Sequence, residues 1–249
     1  MQILPITFQR PTNINHKANS RWIYDKYGNE LYKTTTYFFR DDLDWESLVR
    51  FLCQKYKNVS HVNFINHACS CGMEPFSFVI SLMLYAPENI KKFTPILAKD
   101  INPENILMAK KGYCGASTDD FMRIHGITKG RYKDFFNMKK DNKTDGLFTM
   151  YPKKVLTDKV VFEEGDIFKD IENIPEDNTF LSCRNFWAYL PYEKKDELAR
   201  RLSERLKPSS TLLVGHHDTT CGGVDKILIK NGFEKCKIEN DFNPLYQKV

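Results

Sequence analysis

Three acidic side chains stand where a strand gives way to a turn: Glu74 two places after Gly72, Asp100 at the end of TPILAK, and Asp166 directly after Gly165. A carboxylate can accept two hydroxyl hydrogen bonds at once, which suits a vicinal diol. Asp100 lies roughly thirty positions beyond the glycine, where doubly wound folds set an acid against ribose hydroxyls. Asp166 can accept from an exocyclic amine while Ile167 packs on the ring face. Glu74 can accept from a ligand amine or hydroxyl, or complement the dipole of the helix it begins. Each has a plainer role as well, Asp100 as a helix cap and Asp166-Ile167 as an ordinary turn. Two further stretches carry polar groups beside aromatics. In TTTYFFRD, Thr34 to Asp41, the hydroxyls and the Arg40 guanidinium can face a ligand, or Phe38 and Phe39 can anchor a core beneath a surface charge. Arg184-Asn185, followed by Phe186-Trp187-Ala188-Tyr189, is the polar pair and aromatic cluster expected at the edge of a crevice.

The elements that must position these groups follow from periodicity. Val62–Asn66 is short, β-rich and bounded by polar residues, so it predicts a buried strand. Ala68 to Gly72 are small, and from Glu74 the residues Phe76, Val79, Ile80, Met83 and Leu84 recur at helical spacing. In this strand, turn and helix, Gly72 lets a ligand approach the backbone. Further strands are expected at Thr94–Lys99, Val160–Glu163, Thr179–Cys183 and Ser210–Gly215, with Phe233–Ile238 and Pro244–Lys248 as a terminal antiparallel pair. Helices are expected from Trp45, after Asn102, over Tyr192–Leu206 and over Val224–Lys230. This alternation argues a mostly parallel seven-stranded α/β sheet with helices on both faces. Gly112 to Lys159 interrupts it with a basic and aromatic stretch containing Arg131, Tyr132, Lys133, Phe135, Phe136, Lys139 and Lys140. A loop of that length is uncommon in a compact domain. It reads as a small insert with strands near Leu147–Met150 and Lys154–Thr157, and as a candidate partner surface.

Composition narrows the class. Of 249 residues, 28% are charged and 41% hydrophobic, which describes a soluble globular chain. The absence of a long apolar run or signal-peptide pattern predicts a cytoplasmic protein with no membrane insertion. The seven cysteines include no CxxC pair, so a disulfide framework or zinc knuckle is disfavoured, and no metal is expected from His67, Cys69 and Cys71 with His216 or His217. A net charge of +5 suits an acidic partner but not a dedicated nucleic-acid binder.

The ordered set of motifs resembles the CheR-type chemoreceptor glutamate methyltransferases, which use S-adenosylmethionine. Thr34 to Arg40 matches that family's threonine-bearing segment before FFR, and Gly72-Met73-Glu74-Pro75-Phe76-Ser77 its G-E-E-P-Y-S turn. Ala98-Lys99-Asp100-Ile101 matches a strand ending A-x-D-I, and Cys183-Arg184-Asn185 with Tyr189 matches C-R-N with a tyrosine four residues beyond the asparagine. Leu206-Lys207-Pro208 and Gly215-His216 are similar to its L-x-P-G-G and G-H-S-E region. The resemblance implies a Rossmann-like S-adenosylmethionine-dependent methyltransferase fold. Residues 1–43 would form an N-terminal arm and cofactor-covering segment, and residues 44–249 the methyltransferase domain, with the insert at about 112–159. It also places Thr34, Thr36, Arg40, Glu74, Asp100, Asp166, Ile167, Cys183 and Arg184 at the cofactor, and Arg40 and Tyr189 at the reacting group. Thr34, Cys71, Met73 and Asp166 depart from the family's Asn, Thr, Glu and Asn. The family's helical N-terminal domain is expected to be missing, which separates receptor recognition from cofactor binding.

The implied reaction is methyl transfer from the sulfonium to a protein glutamate, with an acidic protein such as a chemoreceptor cytoplasmic domain as partner. An ionised carboxylate needs no base, and none is conspicuous beside Tyr189. Phe38, Phe39, Trp187 and Tyr189 are expected to exclude water. The alternatives are a methyltransferase of the same fold acting on a small molecule or another protein, and a regulatory module that binds the cofactor without catalysis.

Overall fold

The computed structural model describes residues 20–24, 30–140, 147–238 and 244–249. In chain order the strands are β1 (Ser20–Tyr24), β2 (Glu30–Thr35), β3 (Asn63–His67), β4 (Ile96–Asp100), β5 (Cys114–Ser117) and β6 (Phe136–Lys140). There follow β7 (Leu147–Pro152), β8 (Val160–Glu164), β9 (Thr179–Cys183), β10 (Thr211–Leu213), β11 (Phe233–Lys235) and β12 (Leu245–Lys248). Seven of them make one sheet in the order β11-β12-β10-β9-β3-β4-β8, with β12 antiparallel to both its neighbours and the remaining pairings parallel. The mostly parallel seven-stranded sheet is thus as expected, terminal pair included. The order reverses at β3, whose neighbours are β4 and β9, and such a switch point opens a crevice beyond the strands' carboxyl ends.

Side-chain alternation along β3 divides the core between two layers. Phe64 meets Phe78 and Phe180 on one face, with ring centroids 4.9 and 4.5 Å apart, while Ile65 joins Leu181 and Leu212 on the other. The Met73–Tyr85 helix lies against the first face and is buried without a break from Met73 to Leu82. The Trp45–Lys55 helix, capped by Asp44, covers it through the edge-on contact of Trp45 with Phe78 at 5.0 Å. Phe39 extends this ring chain, 5.6 Å from Trp45, and Phe38 packs on Phe136 at 5.1 Å. Both phenylalanines are core anchors, so their expected part in shielding the site gives way to the stronger demand for buried apolar area.

The insert is a three-stranded antiparallel sheet, β5-β7-β6, with the Thr118–Ile127 helix on a Ser117–Asp120 capping box. The strand expected at Lys154–Thr157 is instead one helical turn, because Leu156 must turn inward, fully buried, while Val155 faces out. Phe135 and Phe136 are buried, leaving Lys133, Lys139 and Lys140 exposed. Within the arm, β1 and β2 pair as an antiparallel hairpin. Among the described residues no helix is long and apolar enough to cross a membrane.

Candidate active site

A crevice of about 270 Å³ opens at the switch point. Its floor is the turn after β3, where Ala68 and Ser70 lie at φ +58° and +51° and line the cavity with Cys69. Left-handed backbone at non-glycine residues is strained and persists only where neighbours enforce it. Here Asp100 does so: its Oδ2 accepts the Ser70 N–H at 2.7 Å, and its Oδ1 accepts the Asn102 N–H at 2.9 Å and Asn105 Nδ2 at 3.2 Å. Burial raises the Asp100 pKa above the usual carboxylate range, and these three hydrogen bonds offset only part of that rise. About one of a carboxylate's four acceptor sites remains for a hydroxyl, short of the two a diol would use.

Gly72 serves a different purpose from the expected ligand approach. It does not line the crevice. Its φ is +92°, and a Cβ would lie 2.7 Å from the Phe162 ring. The glycine lets the Met73–Tyr85 helix close onto β8.

Glu74 lies at the centre of a buried polar network. Its Oε1 accepts from Asn66 Nδ2 at 2.9 Å and Ser182 Oγ at 2.8 Å, and its Oε2 pairs with Arg184 Nη1 at 2.6 Å. Arg184 also holds Asp42 through Nη2 at 2.6 Å. Burial works against the Arg184 charge, but Glu74 and Asp42 outweigh it and raise its pKa. For Asp42, burial is likewise outweighed, by Arg184 above all, so its carboxyl is held below the usual range. The pair ties the segment after β2 to the sheet. Phe39 N–H donating to Ser77 Oγ, and Arg123 donating to Phe38 O and pairing with Asp41 at 2.7 Å, secure the same segment. Thr36 and Arg40 are thereby set on the crevice wall. Burial and the neighbouring Arg184 lower the Arg40 pKa.

Beyond β9, Asn185 takes φ +61° and Tyr189 stands half exposed at the mouth. This loop is fixed by Asp218, a fully buried acid whose carboxylate accepts the N–H groups of Asn185 at 2.6 Å, Gly215 at 2.8 Å and Ala188 at 3.2 Å. Gly215 is needed because a Cβ there would lie 2.5 Å from Asn185 Oδ1. The His216–Thr220 helix carries His217 to 6.3 Å from the Tyr189 ring, so an imidazole does stand beside that tyrosine, contrary to expectation.

Thr36, Arg40, Glu74, Asp100, Asp166, Ile167, Arg184 and Tyr189 all line the crevice. Asp166 also caps the short helix that follows, accepting the Phe168 N–H at 3.0 Å. Cys183 stands apart: its thiol is buried in the core and its carbonyl accepts from Trp187 Nε1 at 2.8 Å. Trp187 is buried with it, so Phe168, Phe186 and Tyr189 are the aromatics of the wall. The side chain of Thr34 lies outside the described residues. Asp42 and Asp218 were missed, because each acts across more than thirty residues of chain. Asp218 occupies the acidic place of the G-H-S-E pattern, which was the available signal.

The lining suits a ligand with a charged amino-acid end and a flat ring. Arg40, Glu74 and Arg184 gather at one end, and the Arg184 Nε–H is buried without an acceptor among the described residues. Ile101, Ile167 and Phe168, beside Asp166, offer an apolar face with a polar edge. Residues 34–232 match the family described as CheR methyltransferase, SAM binding domain. The chain belongs to that family. S-adenosylmethionine is accordingly its cofactor, and the residues present fit it. Among curated CheR relatives, the chain is 26% identical over 194 residues to a chemotaxis protein methyltransferase of Borreliella burgdorferi, across 75% of this chain and 65% of that one. It is 21% identical to chemotaxis protein methyltransferase 2 of Vibrio cholerae, across 77% and 64%. It is 25% identical to chemotaxis protein methyltransferase 1 of Pseudomonas aeruginosa, across 72% and 64%. The matches thus span somewhat under two thirds of these relatives' lengths.

Proposed function

We propose that this CheR-family chain is an S-adenosylmethionine-dependent methyltransferase that esterifies a glutamate carboxylate on an acidic protein, a chemoreceptor-type partner. The observation that carries this reading is the placement of Arg40. A guanidinium held on the crevice wall by a segment pinned at Asp42, with Tyr189 at the mouth, can grip one oxygen of a carboxylate and leave the other exposed. When bound, the cofactor supplies an electrophilic methyl group on its sulfonium. A glutamate has a solution pKa of about 4.3 and arrives ionised, so the protein needs only to orient it and keep water away. Phe186 and Tyr189 form the apolar part of that mouth. Excluding water favours the union of an anion with a cation, whose charges cancel as they react.

Calorimetry with S-adenosylhomocysteine tests cofactor binding, and labelled-methyl transfer into glutamate-rich protein tests the reaction. Saturable binding and an alkali-labile methyl ester are expected. An alkali-stable product would remove the carboxylate assignment while leaving the cofactor in place. In the binding arm, Asp100→Ala is expected to weaken affinity by about 1–3 kcal/mol, since it removes the remaining hydroxyl acceptor and the anchor of Ser70.

A further inference from the structure

A second cavity, about 360 Å³ and open to solvent, adjoins the crevice and shares Arg40 and Asn185 with it. Its two acids are already committed, Asp41 to Arg123 at 2.7 Å and Asp42 to Arg184 at 2.6 Å. Tyr37, Arg40, Asn185, His216, His217 and Thr220 complete a wall rich in hydrogen-bond donors and basic groups. A donor-rich pocket with its own carboxylates neutralised by arginines complements an anion. His217 lines this cavity together with Arg40 and stands beside Tyr189, because Asp218 ties the His216–Thr220 helix to the Tyr189 loop through Gly215, Asn185 and Ala188.

We propose that this cavity receives the methyl acceptor and that His217 is a specificity-determining residue, donating an imidazole N–H to the carboxylate that is methylated. The inference rests on the methyltransferase reading above and adds the acceptor's seat and the residue that selects it. A lone pair of the acceptor oxygen forms the O–C bond, the C–S bonding pair returns to sulfur, and the products are a methyl ester and a neutral thioether. No proton moves, so the imidazole acts as donor and not as base.

The test uses labelled S-adenosylmethionine with two carboxylate sources, the peptide acetyl-Ala-Ala-Glu-Ala-Ala-amide and free N-acetylglutamate, and the variants His217→Ala and His217→Gln. Methylation of at least one source is expected, and comparing them shows whether the carboxylate alone or its peptide setting is read. His217→Ala should raise KM for that source roughly tenfold or more at nearly constant kcat, the loss expected of one hydrogen bond to a charged group. His217→Gln, which keeps an N–H donor, should recover most of it, and S-adenosylhomocysteine affinity should stay unchanged in both. An unaltered KM in His217→Ala overturns the proposal. So does a glutamine variant as impaired as the alanine one with a displaced pH profile, which would make the imidazole a base. Failure of both sources while S-adenosylhomocysteine binds overturns it too. Failure of S-adenosylhomocysteine itself to bind would instead remove the methyltransferase reading.

Discussion

Replacing Glu74 by methionine and, separately, by glutamine distinguishes the charge of the buried network from its hydrogen bonds. Methionine takes away the acceptor of Asn66, Ser182 and Arg184 together. Breaking a buried ion pair by deleting one partner costs about 3–5 kcal/mol, because the other charge stays behind without compensation. Arg184, with its side chain only 1% exposed, keeps Asp42, which places the ion-pair loss near the lower end, while two stranded donors add to it. The expectation for Glu74→Met is a loss of about 4 kcal/mol. Glutamine can be absorbed differently. Asn66 Oδ1 is buried without a partner among the described residues, so turning that amide over lets it accept from the new Gln amide while the Gln carbonyl takes Arg184. What remains is a neutral acceptor in place of a charged one, about 1–2 kcal/mol. In urea titrations followed by tryptophan fluorescence, with a slope near about 3 kcal/mol/M, the midpoint should fall by roughly 1.3 M for methionine and roughly 0.5 M for glutamine. Adding Asp42→Asn to Glu74→Met should cost more than the two losses summed, since Arg184 then loses both carboxylates. Equal midpoints for the two variants, or strict additivity with Asp42→Asn, would refute the coupling ascribed to Arg184.

Gly72→Ala forces a Cβ against Phe162 at φ +92° and should lower stability by roughly 2–3 kcal/mol; because Gly72 does not line the crevice, calorimetry should find S-adenosylhomocysteine affinity little changed. Asp218→Ala leaves three backbone N–H groups without their acceptor, so a loss of about 3 kcal/mol in chemical denaturation is expected, together with loss of methyl transfer as Tyr189 and His217 lose their common tether. Burial, with Lys99 nearby and Asp170 opposing, lowers the His67 pKa to about 4. The unfolded imidazole binds its proton near about 6.5, so between those values the unfolded chain holds more protons and stability falls as pH falls, by on the order of 3 kcal/mol in all. His67→Phe should flatten that part of the stability profile between pH 4 and 6.5, as measured by urea midpoints at each pH.

Much of the frame could be read from periodicity. β3, β4, β8 and β9 lie within a residue or two of their expected places, because runs such as NFINH and TFLSC are both short and buried. Lys154–Thr157 was illegible for the reason that four residues carry too little pattern, and Leu156 satisfies the core as well from a helical turn. Gly72 looked like a ligand-facing glycine, since spacing reveals its freedom but not the direction of the missing Cβ. Phe38 and Phe39 had two possible roles in the sequence, and only the neighbours Phe136 and Trp45, far along the chain or across a turn, decide between them.

The three strand-end acids show how a site can be legible in its residues and misjudged in its economy. Read from sequence, Glu74, Asp100 and Asp166 face a ligand. In the fold Glu74 is taken up by Asn66, Ser182 and Arg184, Asp100 by the Ser70 and Asn102 amides and Asn105, and Asp166 in part by Phe168. Together with Asp218 they hold Ser70 and Asn185 in left-handed conformations that would otherwise relax. Their first task is therefore to keep the crevice open at fixed dimensions, so that little ordering is left to be done when the cofactor binds. Affinity must then come from what the crevice wall still presents, the last acceptor site of Asp100 and the apolar face of Ile101, Ile167 and Phe168 among them. Substitutions at the acids should consequently move stability and affinity together, while substitutions at Ile167 should move affinity far more than stability.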